Sequence, residues 1–171
     1  MIAIVVGKFS VNAGHKKEQK HLTKLEEFYQ AKDYAAIDEY LSDKDLWDSS
    51  YEKYDEISRV YTYYAYLEND IMHIREILDS EMTEDEKASQ VSMWCESVIE
   101  DASSVLEQSA KYSEDMQFLG NEEELERFYH NVVTLLAEFG YTKEEIELIR
   151  QVEKDNIQRE LLEKLMNYYL K

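Results

Sequence analysis

The chain has 171 residues with no proline, four glycines, one cysteine and 19 basic against 38 acidic side chains, a formal net charge of −19. A lone cysteine excludes an internal disulfide framework and suits a reducing compartment, so a cytoplasmic protein is expected. Charge of this sign repels phosphates and anionic lipid heads, which argues against direct nucleic-acid binding.

The first stretch, Met1-Ile2-Ala3-Ile4-Val5-Val6-Gly7-Lys8, is β-branched and uncharged up to its last residue, and it reads as an extended segment over residues 1–14. It is too short to span a bilayer, which takes about 20 apolar residues. Lys8, Lys16, Lys17 and Lys20 nevertheless resemble a juxtamembrane flank, so the soluble part of a membrane-anchored regulator is an alternative reading. Gly7-Lys8-Phe9 and Gly14-His15 faintly resemble the phosphate-binding entry of nucleotidylyltransferases. That pattern's proline and first histidine are missing, and no strand–helix alternation follows to build a nucleotide-binding sheet. The charge is also divided. Residues 1–32 carry six lysines against Glu18, Glu26 and Glu27, leaving 13 basic and 35 acidic residues, or −22, over 33–171.

Helical spacing begins at about residue 15. Leu22, Leu25, Phe28 and Tyr29 define a first helix to about Gln30, and Tyr34, Ile37, Tyr40 and Leu41 a second over 34–42. The joint Ala31-Lys32-Asp33-Tyr34-Ala35-Ala36-Ile37 resembles the turn of a tetratricopeptide repeat, with Lys32 where that family has glycine and without its helix-ending proline. A second joint of this kind is expected at Leu67-Glu68-Asn69-Asp70, between helices at 50–67 and 70–79. The resemblance covers about residues 15–80 and implies antiparallel helical hairpins and a protein- or peptide-binding role.

Three later boundaries match capping boxes, in which the first side chain caps an orphan amide and a glutamate three residues on reaches back. They are Thr83-Glu84-Asp85-Glu86, Asn121-Glu122-Glu123-Glu124 and Thr142-Lys143-Glu144-Glu145. Val91, Trp94, Val98, Ile99, Ala102, Val105 and Leu106 trace one apolar stripe along a helix from the first cap to about Lys111. Leu125, Phe128, Tyr129, Val132, Val133, Leu136 and Phe139 do so in the next. Gly120 and Gly140 fit helix-ending positions. The last segment, Ile146, Ile149, Val152, Ile157, Leu161, Leu165 and Tyr169, is one helix or two, with a break at Asp155-Asn156. The expected fold is all-α: one domain over 15–171, an array or bundle of six to seven antiparallel amphipathic helices, tetratricopeptide-like.

No catalytic, cofactor-binding or metal-binding set emerges, and a non-enzymatic protein is expected. Cys95 lies among apolar neighbours beside Glu96 and Glu100, which oppose a thiolate. Glu18 and Asp70 each precede a histidine, His21 and His73, by one turn, as in carboxylate-bridged di-iron bundles, but such sites also require a further pair of inward-facing carboxylates on other helices, and Glu18 and His21 lie among lysines that oppose a cation, so accidental spacing is the better account. Glu126 and His130 are spaced for a surface hydrogen bond. The chain has fourteen tyrosines, and Val60-Tyr61-Thr62-Tyr63-Tyr64-Ala65-Tyr66-Leu67 distributes them around a helix. If Ile57, Tyr61, Tyr64, Leu67 and Ile71 face the core, Tyr63 and Tyr66 point elsewhere. Tyr54, Tyr61, Tyr63, Tyr64 and Tyr66 are therefore candidates for a partner-binding or dimerisation groove, against the plainer reading that tyrosines simply fill the spaces between helices. The expected function is a peptide- or protein-binding adaptor or sensor module whose acidic surface favours a basic partner. An acidic mimic of nucleic acid, presenting Glu122, Glu123, Glu124 and Glu126 to a basic protein, is the alternative.

Overall fold

The structure, a computed structural model, describes residues 3–114, 120–152 and 156–171, with side chains over 15–110, 120–152 and 156–171. Among the described residues there are seven α-helices, one short 3-10 turn at Ser49–Tyr51 and no strand. The α-helices are α1 (Ala3–Gln30), α2 (Tyr34–Lys44), α3 (Glu52–Leu78), α4 (Glu84–Glu114), α5 (Glu122–Glu138), α6 (Lys143–Arg150) and α7 (Arg159–Tyr169). They fall into two compact units, Met1–Ser58 and Arg59–Lys171. Among the described residues, no helix is long and apolar enough to cross a membrane.

In the first unit α1 and α2 form a hairpin. Residues 3–14, expected to be extended, are helical. The physical reason is that propagation from an existing helix needs no new nucleus. β-branched residues cost at most about 0.7 kcal/mol each, glycine about 1, and no proline intervenes. The α1–α2 joint closes as a left-handed cap: Lys32 has φ 56°, its N–H donates to Tyr29 O at 3.0 Å, and Asp33 N–H donates to Phe28 O at 3.0 Å. The Asp33 carboxylate then caps α2 by accepting from Ala36 N–H at 3.1 Å. Leu25, Ile37 and Leu41 are fully buried.

The second joint expected at residues 67–70 does not form, because α3 runs unbroken through it. Leu67, Ile71, Ile74 and Ile77 are all buried and recur at three- and four-residue steps. Burying each of those aliphatic side chains contributes about 1.5–3 kcal/mol. The helix penalty of Asn69 and Asp70 is only about 0.7 kcal/mol apiece, so the apolar row overrides the local breaker signal.

In the second unit α4 packs against α5, α6 and α7, burying Val91, Cys95, Val98, Ile99, Ala102, Val105 and Leu106. From α5 it receives Leu125, Phe128, Val132 and Leu136, all buried. The end of α5 is a Schellman cap: Gly140 N–H donates to Ala137 O and Tyr141 N–H to Leu136 O, with Gly140 at φ 91°. Thr142 and Glu145 form a full capping box. Thr83 and Glu86 exchange the same pair of bonds, at 2.9 and 3.4 Å. The third expected box departs from the pattern: Asn121 is buried and makes no side-chain cap bond to α5. Its partner position, Glu124, is also buried and pairs with Arg127. The chain leaves α6 at Gln151 and re-enters helix at Arg159, while the expected break residue Asp155 lies outside the described residues. Ser103 Oγ donates to Val152 O at 3.2 Å, which holds the α6 exit against α4.

Candidate functional site

The five tyrosines expected to form one surface have different surroundings. In the first unit Tyr54 is buried, donates to Glu26 Oε2 at 2.7 Å and meets Tyr29 edge-on at 6.2 Å. Burial, followed by the Glu26 hydrogen bond, pushes its hydroxyl pKa well up. Glu26, bonded by Gln30, Tyr54 and Lys53, is correspondingly held below the ordinary carboxylate range. This cluster borders an open trough of about 690 Å³ along α1, lined by Gln19, Leu22, Thr23 and Glu27 among others.

The other four tyrosines belong to the second unit. Tyr61 and Tyr64 are brought together on Phe128 of α5, with ring centroids at 6.3 and 5.2 Å. They fill the space between helices. Burial and then Glu68 push the Tyr64 hydroxyl up. Tyr66 is 56% exposed. Tyr63 borders a cavity of about 200 Å³, which it lines with Glu100, Asp101, Ser104 and Val152.

That cavity lies on a seam of two rows of side chains. On α3, Tyr63, Tyr66, Asp70 and His73 follow one another at three- and four-residue steps; on α4, Trp94, Ser97, Asp101 and Ser104 do the same. The rows meet in antiparallel register. The His73 and Trp94 rings stack at 4.7 Å, and the Asp70 and Asp101 carboxyls share a hydrogen bond. Asp70 is 5% exposed and its Oδ2 has no hydrogen-bond partner. Burial first, then the Asp70 charge and hydrogen bond, then Glu100, push the Asp101 pKa up to about 7. Burial and a neighbouring carboxyl both disfavour the charged form of Asp101, which is why its pKa moves up.

The histidines expected at di-iron spacing have other partners. His21 Nδ1 lies 3.0 Å from Tyr40 Oη, and His73 Nδ1 lies 3.2 Å from Glu76. Asp70, one turn before His73, turns to Asp101 instead. Among the described residues no three His, Cys, Asp or Glu side chains are grouped to hold a metal ion. Cys95 is fully buried, and burial ahead of Glu96 pushes its thiol up to about 12, so the thiolate is suppressed.

Sequence reasoning missed the Asp70–Asp101 pair, although a signal was present. Each aspartate stands inside an apolar stripe, Asp70 between Leu67 and Ile74 and Asp101 between Val98 and Val105, where a carboxyl must find a partner. Compared with known proteins, the chain matches no protein-family model, no curated protein and no solved structure.

Proposed function

We propose that the protein is a non-enzymatic helical binding module that engages a basic protein partner. The observation that carries this reading is that six acidic side chains of residues 33–171 are exposed at or near the starts of two helices. Glu84, Asp85 and Glu86 on α4, and Glu122, Glu123 and Glu126 on α5, are all exposed. In the first turns, Glu84 and Asp85 of α4 and Glu122 and Glu123 of α5 complement the local dipole, so they cost the fold little, while Glu86 is held by Thr83 in the capping box. A field of this sign accelerates encounter with basic proteins and repels acidic ones. Of the tyrosines first considered for a groove, Tyr63 and Tyr66 remain candidates for contact with the partner. Tyr54, Tyr61 and Tyr64 contribute to packing.

The test is a pull-down with the full chain from lysate of the native cell, at roughly 0.1 M and roughly 1 M salt, where the screening length falls from about 10 to about 3 Å. The reading expects basic proteins captured at low salt and lost at high salt, with weaker capture by a Glu122→Gln, Glu123→Gln, Glu126→Gln variant. A partner that is acidic, or one held equally by wild type and variant in both salts, overturns it.

A further inference from the structure

We propose that α1 docks on an anionic lipid surface, with its first half embedded in one leaflet and Lys16, Lys17 and Lys20 at the level of the lipid phosphates. This goes beyond the basic-partner reading and draws on the other side of the charge division. Residues 1–32 carry six lysines against three glutamates.

Two independent observations meet on this helix, and the first is its reach. α1 has 28 residues and α2 has 11, roughly 42 and 16 Å at about 1.5 Å per residue. The two helices meet through His21 and Phe28 on Tyr40 and through Tyr29 on Tyr34. With residue 21 against residue 40, the end of an antiparallel α2 stands level with about residue 17 of α1. Residues 3–14 continue as helix past that level, for about 18 Å. Their sequence, Ala-Ile-Val-Val-Gly-Lys-Phe-Ser-Val-Asn-Ala-Gly, holds a single charged residue, Lys8. A helix of this composition gains by leaving water.

The second observation is a row of positions. Residues 6, 9, 13, 16, 20 and 24 follow one another along α1 at three- and four-residue steps. Val6, Phe9 and Ala13 therefore share a helix face with Lys16, Lys20 and Lys24, and Lys17 lies beside them. Lys24 is engaged by Glu27 at 3.0 Å and by the Phe28 ring. Lys16, Lys17 and Lys20 are exposed, and among the described residues none of the three has an ion-pair or hydrogen-bond partner. Three cations are thus left to an external anion.

Apolar positions leading into lysines along one face suit a helix that enters a bilayer obliquely. The apolar groups leave water, while the lysine stems lie along the acyl chains and hold their ammonium groups at the phosphates. The reach of about 18 Å matches roughly half of a hydrocarbon core about 30 Å thick. A nucleic acid offers the same phosphates but would use the lysines alone, leaving Val6 and Phe9 without a role. The apolar positions therefore separate the two sources of phosphate.

The test is flotation of the full chain with vesicles of phosphatidylcholine alone, and of phosphatidylcholine with roughly 30% phosphatidylserine, at roughly 0.1 M salt. The expected result is binding at least about tenfold tighter to the anionic vesicles. Replacing Lys16, Lys17 and Lys20 together by glutamine weakens it about a hundredfold, or about fivefold per lysine. Phe9→Ser weakens it about tenfold with every lysine in place. Circular dichroism of each variant confirms its helix content. No binding, equal binding to both vesicles, or anionic binding kept by the lysine variant overturns the proposal. So does anionic binding that Phe9→Ser leaves unchanged, or single-stranded poly(U) held as tightly as the anionic vesicles, since either makes α1 a phosphate-binding face with nothing embedded.

Discussion

Asp101→Asn reports on stability. The gap between the ordinary 3.8 of an aspartate and about 7 in the fold corresponds to about 4 kcal/mol in a dry site. Asp101 is only half-buried, and solvent screening reduces this to about 1–2 kcal/mol. The sign follows from proton linkage. A carboxyl whose pKa is raised by folding favours the folded state fully below its unfolded value, near pH 4. That contribution is lost as pH rises through about 7. An asparagine donates its amide to Asp70 at every pH. The variant is therefore about as stable as wild type at pH 4 and about 1–2 kcal/mol more stable at pH 8. Urea denaturation of both proteins at pH 4, 6 and 8, followed by circular dichroism, measures the difference. The depressed carboxylates Glu26, Glu86, Glu145 and Glu147 act in the opposite direction but equally in both chains, so they cancel. A variant less stable than wild type at pH 8, or a difference independent of pH, would refute the raised pKa of Asp101 as a cost to the fold.

Three further substitutions test the fold's joints. Lys32 occupies a left-handed backbone position, φ 56°, so Lys32→Gly raises stability by about 1 kcal/mol, read as a higher thermal midpoint; a lower midpoint counts against the cap. Gly140→Ala loses about 1 kcal/mol or more. A Cβ there would meet nothing closer than Lys164 Cε at 3.9 Å, so the loss reflects backbone strain at φ 91°, and an unchanged midpoint would contradict it. Thr142→Ala removes one half of the α6 capping box and costs about 1 kcal/mol. Thr142→Ser restores most of it, and equal midpoints for the alanine and serine variants would refute the capping role.

The helical architecture was legible because period and punctuation agree. Leu125, Phe128, Val132 and Leu136 step along one face of α5, Gly140 ends it, and Thr142 with Glu145 starts the next helix. Local signals failed where burial opposed them. Asn69-Asp70 looks like a joint, but Leu67, Ile71 and Ile74 on the same row hold α3 continuous. The β-branched start looks extended, yet helix propagates into it from residue 15 onward. The tyrosine excess was visible, but its division between packing at Phe128 and the Tyr63 cavity depends on which helices face each other. Within-helix spacing pairs Asp70 with His73, while the neighbour that Asp70 meets, Asp101, lies on another helix; each helix's periodicity shows a carboxyl inside an apolar stripe but not which residue answers it.

The central claim is that an exposed acidic surface selects a basic partner. The most direct measurement of it is the salt dependence of Kd for the captured partner. The account predicts that log Kd rises steeply with log salt concentration, and that the slope is shallower for the Glu122→Gln, Glu123→Gln, Glu126→Gln variant. A Kd that does not change with salt, or a slope identical in the two proteins, would contradict it.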